Sequence, residues 1–379
     1  MVAPAVVWMN LRRLKAVIGG ILGCGTRHSK YLHTRSQDAT YVNAIMKVAF
    51  YDAKPYDREF FDEQNSGNSL EINYHSFRLS IETASTSKGC EAICVFVNDA
   101  LDLSCLEELA NLGVKVVALR CAGFNNVDLT AASSLKIHVI RVPSYSPHAV
   151  AEHAIALFHT LNRRIHRAYN RVREHNFSLN GLVGHDMHGK TAGIVGTGKI
   201  GKLTAQILKG YGMRIIACDP YPDAHWADQN EIDYLPLEDL LPRSHLVSLH
   251  TPLTPDTHHL IDDEALDLMM TGAYLVNTSR GKLINTRALI SALKRKKLGG
   301  VALDVYEIEE GIFFEDLSQE GINDDELARL ISFPNVLVTS HQGFLTVEAL
   351  SEIARVTCTN LTHFENGEPF LKGTVVTAD

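Results

Sequence analysis

Residues 196–201 read Gly-Thr-Gly-Lys-Ile-Gly, directly after a β-rich apolar run at 191–195 and at the start of a helical pattern reaching 210. No other stretch restricts the fold as much. In such a turn Gly196 allows the sharp reversal, Gly198 lets the backbone approach a pyrophosphate, and Gly201 lets the helix pack closely on the strand. The helix N-terminus then presents unpaired N–H donors to phosphate. A bare GxGxxG is a weak signal. Asp219 strengthens it, because it ends the next predicted strand 18 residues beyond Gly201, where a carboxylate accepts from ribose hydroxyls. Asp219 would repel a 2′-phosphate and no Arg immediately follows it, so the pattern favours NAD over NADP.

The rest of the chain alternates in the same way. Short β-rich runs at 47–51, 92–97, 114–119 and 137–142 are separated by helical or turn-rich stretches such as 103–111 and 129–135. Pro143 and Pro147 mark an interdomain hinge, and a long helical pattern runs from His148 to about Glu174. A second region predicts six strands, at 191–195, 214–218, 245–249, 273–277, 299–305 and 335–339, with helices notably at 200–210 and 286–297. A chain of 379 residues is too long for one ordinary core. The expectation is an α/β protein of two doubly wound parallel-sheet domains. A Rossmann NAD-binding domain (146–341) is inserted in a flavodoxin-like substrate domain (46–145 plus 342–379), which the helical tail at 346–361 returns to complete.

Charge is uneven along the chain. The formal net charge is −8, yet residues 1–45 carry six Lys/Arg against one acid, Asp38, so the remainder stands at −13. A body that acidic is a poor binder of nucleic acid or anionic membrane, and no apolar stretch reaches the roughly 18 residues of a membrane span. In the leader, Val7, Leu11, Leu14, Ile18 and Leu22 fall at helical spacing with Arg12, Arg13 and Lys15 on other faces. This is the profile of an organellar transit peptide, mitochondrial rather than plastid. A secretory signal, or a cytoplasmic protein starting at Met46, are the competing readings. Seven cysteines without a CxxC pair suit buried thiols in a reducing compartment, with no disulfide framework and no metal site.

Polar residues collect beyond the ends of the second set of strands. Arg280 follows the strand ending near Asn277, Asp304 and Glu309 follow the strand through Leu303, and His341 follows the strand ending at Thr339. Open α/β sheets build their sites at those strand ends. Hydride transfer between NAD and a 2-hydroxy or 2-oxo acid needs a fixed cation for carboxylate and carbonyl and a group that exchanges a proton. Arg280 is a permanent forked cation. His341 is a side chain of the type that exchanges protons under physiological conditions, and Glu309 on its far nitrogen would hold the tautomer, although Glu309 stands in an acidic stretch with Glu307 and Glu310.

From Met46 to about Gly367 the chain resembles the D-isomer-specific 2-hydroxyacid dehydrogenases, and among them the fermentative, NAD-dependent D-lactate dehydrogenase branch. The matching stretches are GCEAICVFVND (89–99), ALRCAGFNNVDL (118–129), AVAEHAIAL with TLNRRIHRAY (149–169), GKTAGIVGTGKIG (189–201), VNTSRG (276–281), LDVYE (303–307), FFED (313–316) and HQGFLT (341–346). The resemblance implies Arg280, Glu309 and His341 as the catalytic trio, with Glu309 preferred to Glu307 because the family's acid lies five positions after the Asp matching Asp304. It implies a substrate carboxylate held at Ala122 and Gly123 with Tyr145 nearby. For NAD it implies Lys199, Ile200, Thr251, Pro252, Thr278, Ser279, Arg280 and Asp304 beside the three glycines and Asp219. The implied substrate pair is pyruvate and D-lactate, and the helix 149–163 is the family's usual dimer contact, pointing to a homodimer with a tetramer as the alternative.

Two departures stand out: Thr257 where relatives often have Asn, and Gly343 for a more usual Ala, which could loosen the loop presenting Phe344. An aromatic wall of Phe96, Phe124, Tyr145 and Phe344 favours a small acid. The scaffold also serves hydroxypyruvate, glyoxylate and 2-oxoisocaproate reductases, and dinucleotide-sensing corepressors that keep the same trio.

Overall fold

The computed structural model describes residues 45–67 and 69–378. The leader, Ile45 apart, lies outside the described residues, and the transit-peptide expectation falls there.

The first sheet gathers β1 (Met46–Phe50), β2 (Leu70–Tyr74), β3 (Ala92–Val95), β4 (Val116–Leu119) and β5 (His138–Arg141). The second gathers β6 (Thr191–Val195), β7 (Arg214–Cys218), β8 (Asp233–Tyr234), β9 (Leu246–Leu249), β10 (Tyr274–Asn277), β11 (Gly300–Leu303) and β12 (Val336–Val338). A last strand, β13 (Val375–Val376), returns to the first sheet. Its spatial order is β13-β5-β4-β3-β1-β2, and that of the second sheet is β12-β11-β10-β9-β6-β7-β8. All pairings are parallel except β13 on β5. The order reverses between β1 and β3 in one sheet and between β6 and β9 in the other, and crevices for ligands open at such switch points.

Burial explains why these segments are strands. Every residue of β3, β4, β9, β10 and β11 is buried, as a parallel sheet covered on both faces requires. The strand β2 was not read from the sequence. Its Glu71 and Asn73 face outward at the sheet edge, so it lacks the continuous apolar run that marks the central strands. The two-residue strands β8 and β13 are too short to leave a pattern.

The chain leaves the first sheet through 142–146, where Ser146 caps the helix Pro147–Asn162 by accepting from the Ala149 N–H, with Pro147 in the first turn. The single helix expected to reach Glu174 is two. Arg164 takes a left-handed φ of 53° and starts a separate helix, Ile165–Arg173, none of whose residues is buried. The helix Val347–Glu365, capped by Thr346, packs back on the first sheet and places Leu350, Ile353 and Leu361 in its core.

Six cysteines are free among the described residues, five of them buried and Cys218 half-buried. Among the described residues no helix is long and apolar enough to cross a membrane, and no cluster of His, Cys, Asp and Glu could hold a metal ion.

Candidate active site

The carboxyl ends of both sheets open on one cleft of about 730 Å³, lined by Phe96 and Arg120–Gly123 from the first sheet and by Arg280, Glu309 and His341 from the second. The glycine turn sits at the β6/β9 switch point. Gly196 has a φ of +90°, and a Cβ there would meet the His250 carbonyl oxygen at 2.5 Å. A Cβ on Gly201 would come within 1.9 Å of the Gly196 oxygen, whereas one on Gly198 would meet no atom within 4 Å. The first and third glycines are therefore demanded by the protein itself, and the second leaves open space at the N-terminus of the helix Lys199–Gly210. Asp219 directly follows β7 and accepts from the Thr197 N–H at 2.6 Å and the Tyr221 N–H at 2.8 Å, so it also braces the turn.

Ile200, Thr251, Pro252, Thr278, Ser279 and Arg280 converge on the crevice leading from that turn to the cleft. The buried Thr278 hydroxyl and His250 Nδ1 have no partner there among the described residues. Burial brings His250 down to about 4, so its ring is neutral. An open phosphate cradle, orphaned polar atoms in a crevice and a carboxylate at the ribose position fit an NAD cofactor.

Arg280, Glu309 and His341 meet in the cleft. Arg280 leaves β10 on a turn fixed by Asn277, whose side chain accepts from the Ser279 N–H at 3.0 Å and donates to the Arg280 carbonyl at 2.8 Å. Its Nη1 donates to the Ser279 carbonyl, and its Nη2 lies 3.4 Å from where a Gly123 Cβ would stand. Gly281 must follow, because a Cβ there would lie 1.8 Å from the Tyr306 oxygen. The His341 Nδ1 lies 2.8 Å from Glu309 Oε2, while Glu309 Oε1 accepts from the Tyr306 N–H at 3.0 Å. A carboxylate only accepts, so Nδ1 carries the proton and Nε2 is left to the cleft. Glu307 is committed elsewhere, to His259 at 2.7 Å and the Thr286 N–H at 3.0 Å.

The 121–124 loop is held by its carbonyls. Val142 N–H donates to the Cys121 oxygen, and Arg141 Nη1 donates to the Ala122 oxygen at 2.9 Å while its guanidinium lies over the Phe124 ring. This leaves the Ala122 and Gly123 N–H groups without a hydrogen bond among the described residues, with Gly123 beside Arg280. Tyr145 also lines the cleft, its phenol raised by burial.

Asp304, grouped with the NAD residues by resemblance, borders the crevice, but both its oxygens are occupied by the protein. Oδ1 accepts from Thr339 Oγ1 at 2.6 Å and the Gln342 N–H at 2.9 Å and lies 3.1 Å from His153 Nε2; Oδ2 accepts from the Gly343 N–H at 2.8 Å. Burial alone would raise this carboxyl, yet the hydrogen bonds and His153 bring it down to about 2. The His341 backbone, at a left-handed φ of 48°, is tied to the Asp304 carbonyl at 2.7 Å. Gly343 is thus anchored by Asp304, and Thr257 braces its own turn by donating to the Pro252 carbonyl at 2.7 Å. Sequence reasoning missed His153, Thr339, Arg141 and Phe314. No spacing marks Thr339 or Arg141, and His153 and Phe314 stood only inside the matching stretches AVAEHAIAL and FFED.

Comparison with known proteins agrees with this architecture. The family model for the D-isomer specific 2-hydroxyacid dehydrogenase NAD binding domain matches residues 155–343. The chain is 52% identical over 323 residues to D-lactate dehydrogenase of Escherichia coli, covering 85% of this chain and 98% of that protein. It is 54% identical over 322 residues to 2-hydroxyacid dehydrogenase A of Aspergillus oryzae, covering 84% and 92%. Among solved structures, the apo form of Escherichia coli D-lactate dehydrogenase superposes with a TM-score of 0.80 at 49% identity over 88% of this chain and all of that one. The pyruvate reductase of Chlamydomonas reinhardtii reaches 0.82 at 41% identity, over 86% and 98%.

Proposed function

The chain belongs to the D-isomer-specific 2-hydroxyacid dehydrogenases, and from that premise we propose that it is an NAD-dependent D-lactate dehydrogenase, interconverting pyruvate and D-lactate. It is an NAD-dependent oxidoreductase, and relatives at about half identity are named for D-lactate. The observation that carries the substrate reading is the juxtaposition of a forked cation, a Glu-oriented imidazole and unpaired N–H groups in one cleft with an aromatic wall.

The residues divide the work as follows. The Gly198 cradle, the N-terminus of the helix at Lys199 and Asp219 would hold the pyrophosphate and ribose of NAD, and Ile200, Pro252 and Thr278 would line the path to the nicotinamide. When bound, NADH supplies the hydride that the protein cannot provide. The Ala122 and Gly123 N–H groups and Arg280 grip the substrate carboxylate, and the remaining Arg280 donors polarise the C2 carbonyl. His341 Nε2 delivers the proton to the carbonyl oxygen as C2 is reduced, and Glu309 stabilises the imidazolium beforehand. In the oxidising direction Nε2 removes the hydroxyl proton. The balance is pyruvate, NADH and one proton to D-lactate and NAD.

NADH oxidation with pyruvate, hydroxypyruvate, 2-oxoisocaproate and glyoxylate in parallel tests the reading. Preference for pyruvate with D-lactate as product supports it. Tight NADH binding without turnover on any of the four overturns it in favour of a dinucleotide-sensing binding protein. We also propose a homodimer: the helix Ile165–Arg173 and the segment after it expose Ile165, Tyr169, Phe177 and Leu179, an apolar patch suited to a second copy. Light scattering at several concentrations tests this. The basic, apolar leader supports delivery to an organelle, mitochondrion first, to be checked by sequencing the N-terminus of the protein recovered from fractionated cells.

A further inference from the structure

Four aromatic rings run in a chain along the cleft. Centroid separations are 6.3 Å from Tyr145 to Phe344, 6.0 Å from Phe344 to Phe96 and 5.3 Å from Phe96 to Phe314, and Phe314 lies 6.1 Å from the His341 ring. We infer that Phe314 sets the length of 2-oxo-acid side chain that the site accepts, an inference that rests on the dehydrogenase reading above.

With the carboxylate on the 122–123 N–H groups and the carbonyl between Arg280 and His341, these polar groups of the cleft are committed. The C3 substituent is left to the aromatic side. Phe96 and Phe344 belong to the buried core of the substrate domain, 6% and 8% exposed, so general packing already dictates their places. Phe314 is placed differently. It rides on the irregular segment between β11 and the helix Asp325–Ile331, half-buried, packing against the cores of both sheets. Its neighbour Phe313 is 4% exposed in the core of the second sheet, and a left-handed φ of 68° at Phe314 turns the second ring the other way, into the cleft. That conformation is unfavourable for an aromatic residue. It is held by the Phe314 N–H on Ser340 Oγ at 3.3 Å, next to His341 itself. Backbone strain that places a ring beside the proton donor is what a steric gauge of substrate length requires, since one methylene admitted or excluded by an apolar pocket changes kcat/KM by about 10–200-fold.

The test compares the full-length wild type with Phe314→Ala and Phe314→Leu, reading kcat/KM for pyruvate, 2-oxobutyrate, 2-oxovalerate and 2-oxoisocaproate, with NADH affinity followed by fluorescence. The expected result is a rise of at least about tenfold in the 2-oxoisocaproate to pyruvate ratio for Ala, a smaller rise for Leu, and NADH affinity unchanged in both. An equal fall for all four acids would assign Phe314 only a bracing role for the Glu309 segment and overturn the inference, as would a ratio unchanged in both variants. Should Phe314→Ala fail to fold, the Leu variant decides by the same ratio. The wild-type ranking of the acids tests the dehydrogenase reading separately, because the variant-to-wild-type change in the ratio is informative whichever acid ranks first.

Discussion

Replacing Asp304 by Asn should destabilise the protein by about 3 kcal/mol at pH 7, and the figure can be reached by two routes. The carboxylate receives Thr339, Gln342 and His153 on one oxygen and the Gly343 N–H on the other, in a site 1% exposed. An Asn that keeps its oxygen toward the three donors turns its amide against the Gly343 N–H. This leaves two buried donors unpaired, at roughly 1–3 kcal/mol each, and removes the charge from the remaining bonds. Independently, the carboxyl stands at about 2 in the folded protein against roughly 3.9 unfolded, and two units correspond to roughly 2.5 kcal/mol.

The sign follows from a depressed carboxylate. Its stabilisation is fully present above about pH 4 and is lost as pH falls through the folded value near 2, with roughly half gone at pH 3. Urea unfolding of wild type and Asp304→Asn at fixed protein and NADH concentration, at pH 7 and again between pH 4 and 3, measures both points. The gap should narrow toward pH 3. Because the Asp304 carboxylate also holds the Gln342 and Gly343 N–H groups directly after His341, kcat should drop at least about tenfold. A loss under about 1 kcal/mol at pH 7, or a gap independent of pH, would refute the assignment of the stabilisation to the ionised carboxylate.

Three further outcomes are expected. His341→Gln should abolish pyruvate reduction while NADH affinity, read by fluorescence quenching, stays nearly the same; near-normal turnover would remove His341 from proton transfer. Asp219→Ala should raise the relative use of NADPH and also cost about 1–2 kcal/mol of stability, since the Thr197 and Tyr221 N–H groups lose their acceptor; an unchanged NADH to NADPH ratio would put the ribose contact elsewhere. Gly281→Ala drives a Cβ into the Tyr306 carbonyl, so thermal stability should fall by about 1–3 kcal/mol with kcat/KM falling alongside, because Arg280 and the Glu309 segment sit on either side of the clash.

Most of the Rossmann half was legible because its signals are local. Buried parallel strands are continuous apolar runs, and the glycine turn has steric demands that only those residue types meet. The misses were places where local pattern is thin. β2 is an edge strand with a polar outer face, β8 and β13 are two residues long, and the break at Arg164 carries no Gly or Pro to announce it.

At the site the division is the same. Residue type and strand-end position pointed to Arg280, His341 and an acid of the 307–310 stretch, because a parallel sheet delivers whatever follows its strands to one edge, and the family resemblance chose Glu309 among those acids. Which acid serves which histidine was a tertiary decision. Glu307 and Glu309 differ by two positions, and only the packed segment sends one to His259 and the other to His341. The same holds for Asp304, whose oxygens are filled by donors from 35 to 151 positions away, and for Phe314, whose ring reaches the cleft through a backbone reversal. Hydrogen bonds between distant segments form only when the chain is closed, so no spacing in the sequence records them.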